Sequence, residues 1–152
     1  MISGMVLPDT EDPDSAPFWA AARERRLVVQ RCDGCGKLRF PPHSFCNKCH
    51  HHGVTWVPVS GRGRIWSYVV AHSPTMPACE PFTPFPVVVV ELEEDPTIRM
   101  VGNILTDEKA AINSVDPAQL SIGLPVEVVF QEAASDVVLP QWRIVTSEGG
   151  AR

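Results

Sequence analysis

Residues 27–60 read LVVQRCDGCGKLRFPPHSFCNKCHHHGVTWVPVS, and this stretch decides the fold. Its cysteines, Cys32, Cys35, Cys46 and Cys49, form two C-x-x-C pairs separated by ten residues. Each pair turns tightly enough for its two thiolates to converge on one side. Two such knuckles on adjacent hairpins complete a tetrahedron of sulfurs, the arrangement Zn²⁺ accepts at a Zn–S distance of about 2.3 Å. Gly34 and Gly36 permit the tight backbone. Residues 27–31 read as a strand entering the first knuckle, residues 54–60 as a strand leaving the second, and Phe40-Pro41-Pro42-His43 as a stiff connector. Four thiolates leave no open position on the metal. The pattern therefore argues against metal catalysis and for a structural Zn²⁺ that holds together a segment too small for its own core. Iron in the same cage, or a redox disulfide pair, is the alternative.

Outward from the knuckles, residues 1–15 carry four acidic and no basic side chains and read as a flexible tail. Asp14 or Ser15 can cap a helix that admits Pro17 in its first turn and runs from about Ala16 to Arg26. Phe18, Ala21 and Ala22 give this helix a short apolar stripe, so it must dock on something. Helix and zinc ribbon together are assigned to residues 16–60. Ser60-Gly61-Arg62-Gly63 marks a boundary, after which the pattern is β. Strands are expected over 64–72, 85–93, 98–105, 126–131 and 137–145, with a proline-rich loop over 73–86 and a short helix within 107–121. The VVVV run at 87–90 suggests a strand buried on both faces. Gly102 suggests a bulge or tight coil, and Pro140 suggests an edge strand. Five strands with a helix or loop between the third and fourth match an OB-fold barrel over residues 61–146. A β-sandwich fragment fits less well. Residues 147–152 are assigned to a second flexible tail. The fold class is mainly β: a helix, a rubredoxin-like zinc ribbon and a five-stranded OB-fold.

Charge is unevenly spread under a net −5. Residues 16–64 carry nine Lys/Arg against two Asp/Glu, whereas residues 65–152 carry four against twelve. The ribbon half is thus a candidate for an anionic partner, and the barrel half is a poor electrostatic track for nucleic acid. No apolar run reaches membrane-spanning length, and the N-terminus lacks the basic-then-apolar pattern of a secretory signal. The expectation is a cytoplasmic chain without a membrane association, where paired cysteines bind metal more often than they form disulfides.

Other reactive residue types form no convincing constellation. Cys79 stands alone beside Glu80, His43 and His72 are isolated, and His50-His51-His52 reads as a solvated turn. There is no defensible Ser/His/Asp order, no phosphate-cradling glycine loop and no paired carboxylates in a catalytic setting, so no catalytic residue is assigned. Trp56, Trp66, Tyr68 and Trp142 fall on or beside strands, near Arg62 and Arg64. They read first as packing residues, and second as a platform for stacking bases, an adenine ring or a protein surface.

The order of parts is recognisable. A helix carrying Pro17-Phe18-Trp19 leads into a ribbon with Phe40-Pro41-Pro42 between its knuckles. Then come G-x-G-x-I-W-S-Y at 61–68, P-V-V-V-V-E-L at 86–92 and L-P-x-W-R at 139–143. Over roughly residues 16–145 the chain resembles the zinc-ribbon/OB-fold family of acyl-CoA-associated accessory proteins. The family's final motif often continues with proline, where this chain has Ile144. The resemblance implies metal ligation by Cys32, Cys35, Cys46 and Cys49. It also implies work beside thiolase-superfamily enzymes, including the lipid-transfer-protein-like aldolases of steroid side-chain degradation and their MaoC-type hydratase companions. With no hydratase-sized segment, the expected chain is the isolated accessory domain or a stand-alone homologue.

The expected function is a non-catalytic subunit that binds and supports a thiolase-like acyl-CoA enzyme in a heteromer, with a retro-aldolase in steroid side-chain degradation as the expected enzyme. Acyl-CoA would be met only through the complex. Candidate partner contacts are Phe40, Pro41, Pro42, Arg62, Arg64, Trp66, Phe82 and Phe85, because stiff segments lose little entropy on docking. Single-stranded nucleic-acid binding and a rubredoxin-like electron carrier are the alternatives.

Overall fold

The computed structural model describes residues 4–146. The tail assigned to 147–152 lies outside the described residues. The described residues form one α-helix, α1 (Ala16–Arg23), and eight strands. Three short strands build the ribbon sheet: β1 (Val28–Cys32), β2 (Leu38–Arg39) and β3 (Val54–Pro58), in the order β2-β1-β3. The barrel holds β4 (Arg62–Ala71), β5 (Phe85–Leu92), β6 (Arg99–Asn103), β7 (Pro125–Ala134) and β8 (Val137–Ile144), in the order β6-β5-β4-β7-β8. All pairs within the sheets are antiparallel. A parallel bridge between Ile104 and Trp142, with the Leu105 N–H donating to the Trp142 carbonyl at 2.8 Å, brings the end of β6 to β8 and closes the barrel. Closure of the third strand onto the fifth is how a five-stranded sheet loses its free edges.

The helix is shorter than its stripe suggests. Arg25 adopts a left-handed conformation at φ 58°, and the N–H groups of Arg25 and Arg26 turn back to the carbonyls of Ala22 and Ala21. This is a Schellman-type stop, which satisfies the last carbonyls and ends the helix at Arg23. Arg25 then reaches the barrel, bonding Glu108 at 2.5 Å and the Phe130 carbonyl at 3.3 Å. At the other end the Ser15 hydroxyl bonds Asp12 instead of capping the helix.

The turn at Ser60–Gly63 separates two sheets but not two cores. Phe18, Ala21 and Ala22 from α1, with Leu27, Val28 and Val29, join Ile65, Val88, Val90, Leu92, Met100, Val126, Phe130 and Trp142 in one buried cluster. The apolar stripe of the helix thus finds its cover on the barrel. A smaller cluster gathers Cys79, Phe85, Leu105, Ile112 and Val129. Cys79 behaves there as a small hydrophobe.

Several expectations need correction. The VVVV strand is buried on one face only: Val88 and Val90 are fully covered, whereas Val87 and Val89 are half-exposed. An antiparallel sheet packs one face and leaves the other to solvent. The register steps between Ile65 and Ser67, at Trp66 on β4, and again between Glu132 and Ala134 on β7, and not at Gly102. Gly102 instead makes room for a neighbour, since a Cβ there would stand 3.0 Å from the Trp142 ring. The expected helix within 107–121 is only a 3-10 turn at Pro117–Gln119, with Asp116 accepting from the Ala118 N–H at 2.9 Å. Asp116-Pro117 favours a capped turn over helix continuation. Within the segment assigned to a tail, Met5 and Leu7 line a recess with Phe82, Ile112 and Leu139.

Candidate metal centre

The two knuckles are built alike. Cys32 ends β1 and Cys46 follows the connector. In each knuckle the residue after the second cysteine returns its N–H to the carbonyl of the first, Gly36 to Cys32 and His50 to Cys46, both at 2.8 Å. Both closing residues are left-handed, Gly36 at φ 75° and His50 at φ 61°. That conformation suits glycine at Gly36 and is held against its usual cost at His50.

These turns bring the four sulfurs together. All lie within 4.8 Å of one another, with Cys32–Cys49 at 3.5 Å and Cys35–Cys46 at 3.7 Å. The edge of a tetrahedron with Zn–S bonds of about 2.3 Å is about 3.8 Å, so the cage has the size of a zinc–thiolate site. Cys32 and Cys46 are buried, and Cys35 and Cys49 face solvent.

Backbone N–H groups aim at the sulfurs. The N–H of Cys35 leads in holding the Cys32 thiol below its usual value. The N–H groups of Cys49 and Lys48, the latter at 3.4 Å, lower Cys46 to about 6. The His51 N–H lowers Cys49, but the Cys32 sulfur, burial and the two remaining sulfurs outweigh it and push Cys49 up to about 11. Four sulfurs this close resist becoming thiolates together, and a divalent cation at their centre supplies the missing positive charge. The donor set and spacing therefore fit a tetrahedral metal ion with a closed shell.

Of the three consecutive histidines, His51 lies across the knuckles. A Cβ on Gly34 would stand 2.9 Å from its Cβ, and one on Gly53 would stand 2.7 Å from its Nε2. Both glycines make room for this imidazole, which stays exposed as a solvated turn requires. Asp33 beside it accepts from the Thr55 hydroxyl at 2.6 Å, tying the first knuckle to β3.

The candidate contact residues separate by burial. Arg62, Arg64, Trp66 and Pro41 are exposed, Phe40, Pro42 and Phe82 are half-buried, and Phe85 is buried. Phe40 packs on Phe18 with ring centroids 5.3 Å apart. Phe85 lies on the face of β5 opposite the main core and packs with Val87 into the Cys79 cluster, so it is withdrawn as a contact. Arg62 bonds Glu93 at 3.0 Å and Arg64 donates to the Gly123 carbonyl at 3.1 Å. The Trp66 ring carries the Arg99 guanidinium 3.7 Å above its centroid. Trp142 is buried, and Trp56 and Tyr68 are half-buried against the main core, so of the four only Trp66 offers an open surface. Arg39, which the sequence reading did not single out, is buried beside Gln30.

Comparison with known proteins gives concordant matches. Residues 19–55 match the model of the ChsH2 rubredoxin-like zinc ribbon domain, and residues 56–131 match the ChsH2 C-terminal OB-fold domain. The chain is 38% identical over 130 residues to a probable enoyl-CoA hydratase alpha subunit of Thermomonospora curvata, covering 86% of this chain and 37% of that protein. It is 31% identical to the 3-oxo-4,17-pregnadiene-20-carboxyl-CoA hydratase alpha subunit of Mycobacterium tuberculosis, covering 93% of this chain and 43% of that protein. The chain thus spans less than half the length of these two relatives. A DUF35 domain-containing scaffold protein of Methanocaldococcus jannaschii is 30% identical, with 78% of this chain and 77% of that protein covered. Among solved structures, a chain of an Ltp2-ChsH2(DUF35) aldolase superposes with a TM-score of 0.77 at 35% identity, covering 91% of this chain and 100% of that chain.

Proposed function

The chain belongs to the DUF35 family, with the ChsH2-type zinc ribbon and OB-fold, and on that premise we propose that it is a non-catalytic accessory subunit of a thiolase-like acyl-CoA enzyme. The partner in this reading is a retro-aldolase that cleaves a steroid side chain as its CoA thioester. One observation carries the proposal: the chain aligns with the whole of one chain in the Ltp2-ChsH2(DUF35) aldolase. The closed four-sulfur shell is in keeping with it, since a saturated metal has no position for substrate. In this reading the ion is Zn²⁺, its role is to clamp the ribbon, and the complex is cytoplasmic. Acyl-CoA meets the chain only within the complex, and a MaoC-type hydratase acts as a second companion.

Arg62, Arg64 and Trp66 are the contacts this reading retains, with Pro41 on the ribbon. Single-stranded nucleic acid is less well supported, because Arg99 already covers one face of Trp66 and the barrel is acidic.

Co-expression with a thiolase-like aldolase tests the proposal directly. A stable complex is expected in size-exclusion chromatography, with retro-aldol activity that the aldolase alone lacks. Failure of the two to co-purify sinks the accessory reading. A complex that forms equally well with Trp66→Ala and Arg64→Glu sinks only the contact assignment.

A further inference from the structure

The four sulfurs of the cage are not equally placed. Cys32 and Cys46 are buried, while Cys35 and Cys49 reach solvent. The two exposed residues differ in turn. Cys49 is crowded: a Cβ on Gly34 would stand 3.3 Å from its sulfur, and the His51 side chain lies against the same glycine. Beside Cys35 comes Gly36, where a Cβ would meet no atom within 4 Å. Among the described residues, the one hydrogen-bonding contact of the Cys35 sulfur is the buried sulfur of Cys46, 3.7 Å away. Lys37, two residues on, donates from its ammonium to Asn47 at 3.3 Å. A cation thus spans from the Cys35 end of one knuckle to the residue after Cys46.

A cysteine that ligates a metal does so as the thiolate, and the thiolate is also the nucleophile. Its oxidation follows thiolate character and exposure. N–H groups aimed at a sulfur draw off charge and blunt its attack, and such groups bear on Cys32, Cys46 and Cys49. Cys35 combines what an oxidant needs: exposure, an open approach, a cation close by and a second sulfur within reach. Burial shields Cys46 from direct attack and leaves it placed to act second.

We propose that Cys35 is a site of oxidation by hydrogen peroxide, with Cys46 as its resolving sulfur, and that the disulfide so formed opens the metal cage. The Cys35 sulfur attacks one peroxide oxygen. An S–O bond forms, the O–O bond breaks, and the departing hydroxide is protonated to water. The Cys46 sulfur then attacks the sulfenic sulfur of Cys35. The S–S bond forms, the S–O bond breaks, and the second hydroxide also becomes water. Together the two sulfurs give up two electrons, and the peroxide takes both. Cys32 and Cys49 are then the only thiolates left in the cage, half of what a tetrahedral ion needs, so the ion is lost. Because β1 ends at Cys32 and its Val28 and Val29 lie in the core shared with the barrel, the opening is felt beyond the ribbon. A small thiol reverses the bond by exchange. None of this depends on the identity of the partner enzyme.

The test loads the full chain with Zn²⁺, adds hydrogen peroxide and follows the released ion with a chromophoric chelator. A sulfenic-acid trap and peptide mass spectrometry locate the oxidised sulfurs. Release that speeds up with peroxide concentration is expected, with the first label at Cys35 and a Cys35–Cys46 disulfide at the end point. A dithiol with fresh Zn²⁺ should restore the cage. Cys35→His keeps a ligand type that zinc accepts and removes the oxidisable sulfur, so it should lose the peroxide-dependent release, whereas Cys49→His should keep it. First label at Cys49, or a disulfide that leaves Cys46 out, overturns the proposal. Release no faster with peroxide than with chelator alone overturns it too, as does a Cys35→His chain that loses zinc as fast as the parent. If Cys35→His takes up no zinc, the order of labelling in the parent chain decides. A parent chain that takes up no zinc overturns the metal reading and the proposal together.

Discussion

Replacing Cys46 with serine should cost metal affinity and global stability together. Cys46 is fully buried, sits 3.7 Å from Cys35 and carries the lowered thiol value of about 6. A serine hydroxyl is a far poorer anion and leaves a three-sulfur site. Structural zinc in small ribbons is worth an apparent free energy of about 10–16 kcal/mol, which divided over four thiolates is about 3 kcal/mol for each. That is about two orders of magnitude in dissociation constant. The loss cannot stay local, because β1 ends at Cys32 while Val28 and Val29 lie in the core shared with the barrel. Loosening the ribbon exposes apolar side chains whose burial is worth about 1.5–3 kcal/mol apiece. For a domain of this size, a loss of about 3 kcal/mol lowers Tm by about 6–12 °C. Zinc competition against a chromophoric chelator reads the affinity, and calorimetry reads the melt. Cys79→Ser is the control, since Cys79 lies in the second cluster: it should reduce stability and leave zinc affinity untouched. If Cys46→Ser holds zinc within about threefold of the parent and melts as a separate ribbon transition, both the clamp and the shared core are wrong.

Two glycines separate steric demand from conformational demand. A Cβ at Gly63 would stand 2.3 Å from the Glu91 carbonyl oxygen on the paired strand, so Gly63→Ala should destabilise by about 2–4 kcal/mol in denaturant titration. Gly36→Ala meets no atom within 4 Å but keeps a left-handed φ of 75°, so about 1 kcal/mol is expected, and equal costs at the two sites refute the distinction. In the proline-rich loop, Glu80 is held below its usual value by hydrogen bonds from Ser73 first and then from the hydroxyl and N–H of Thr75, the latter two at 2.8 and 2.9 Å. A lowered carboxyl stabilises fully above its unfolded pKa and loses that contribution as pH falls through the folded one. The loop should therefore loosen only in acid, below the ordinary glutamate range. An NMR titration midpoint for Glu80 at or above that of a free glutamate contradicts this.

Most of the architecture is legible along the chain because its signals are local. The C-x-x-C pairs fix their own turns, so Cys32, Cys35, Cys46 and Cys49 could be named from spacing. The alternation around Val126–Gln131 and the β-branched run at 87–90 marked strands, and the order of parts pointed to a ribbon followed by an OB-fold. Local signals fail where a partner element decides. Nothing near Gly102 announces Trp142, because they are brought together only when β6 closes on β8. The bulge at Trp66 likewise depends on the register of β5 and cannot be read from β4 alone.

What the sequence determined by itself is the four-sulfur cluster, because four cysteines on two short turns need little from the rest of the molecule. What only the tertiary structure decided is which side chains face outward and which are buried. Phe85 looked like a contact and is core. Arg39, which the sequence did not single out, is buried and bonded to Gln30 and His43. Phe85 is covered by Cys79, Leu105, Ile112 and Val129, brought to it from separate parts of the chain, a long-range event that no window of neighbouring residues records.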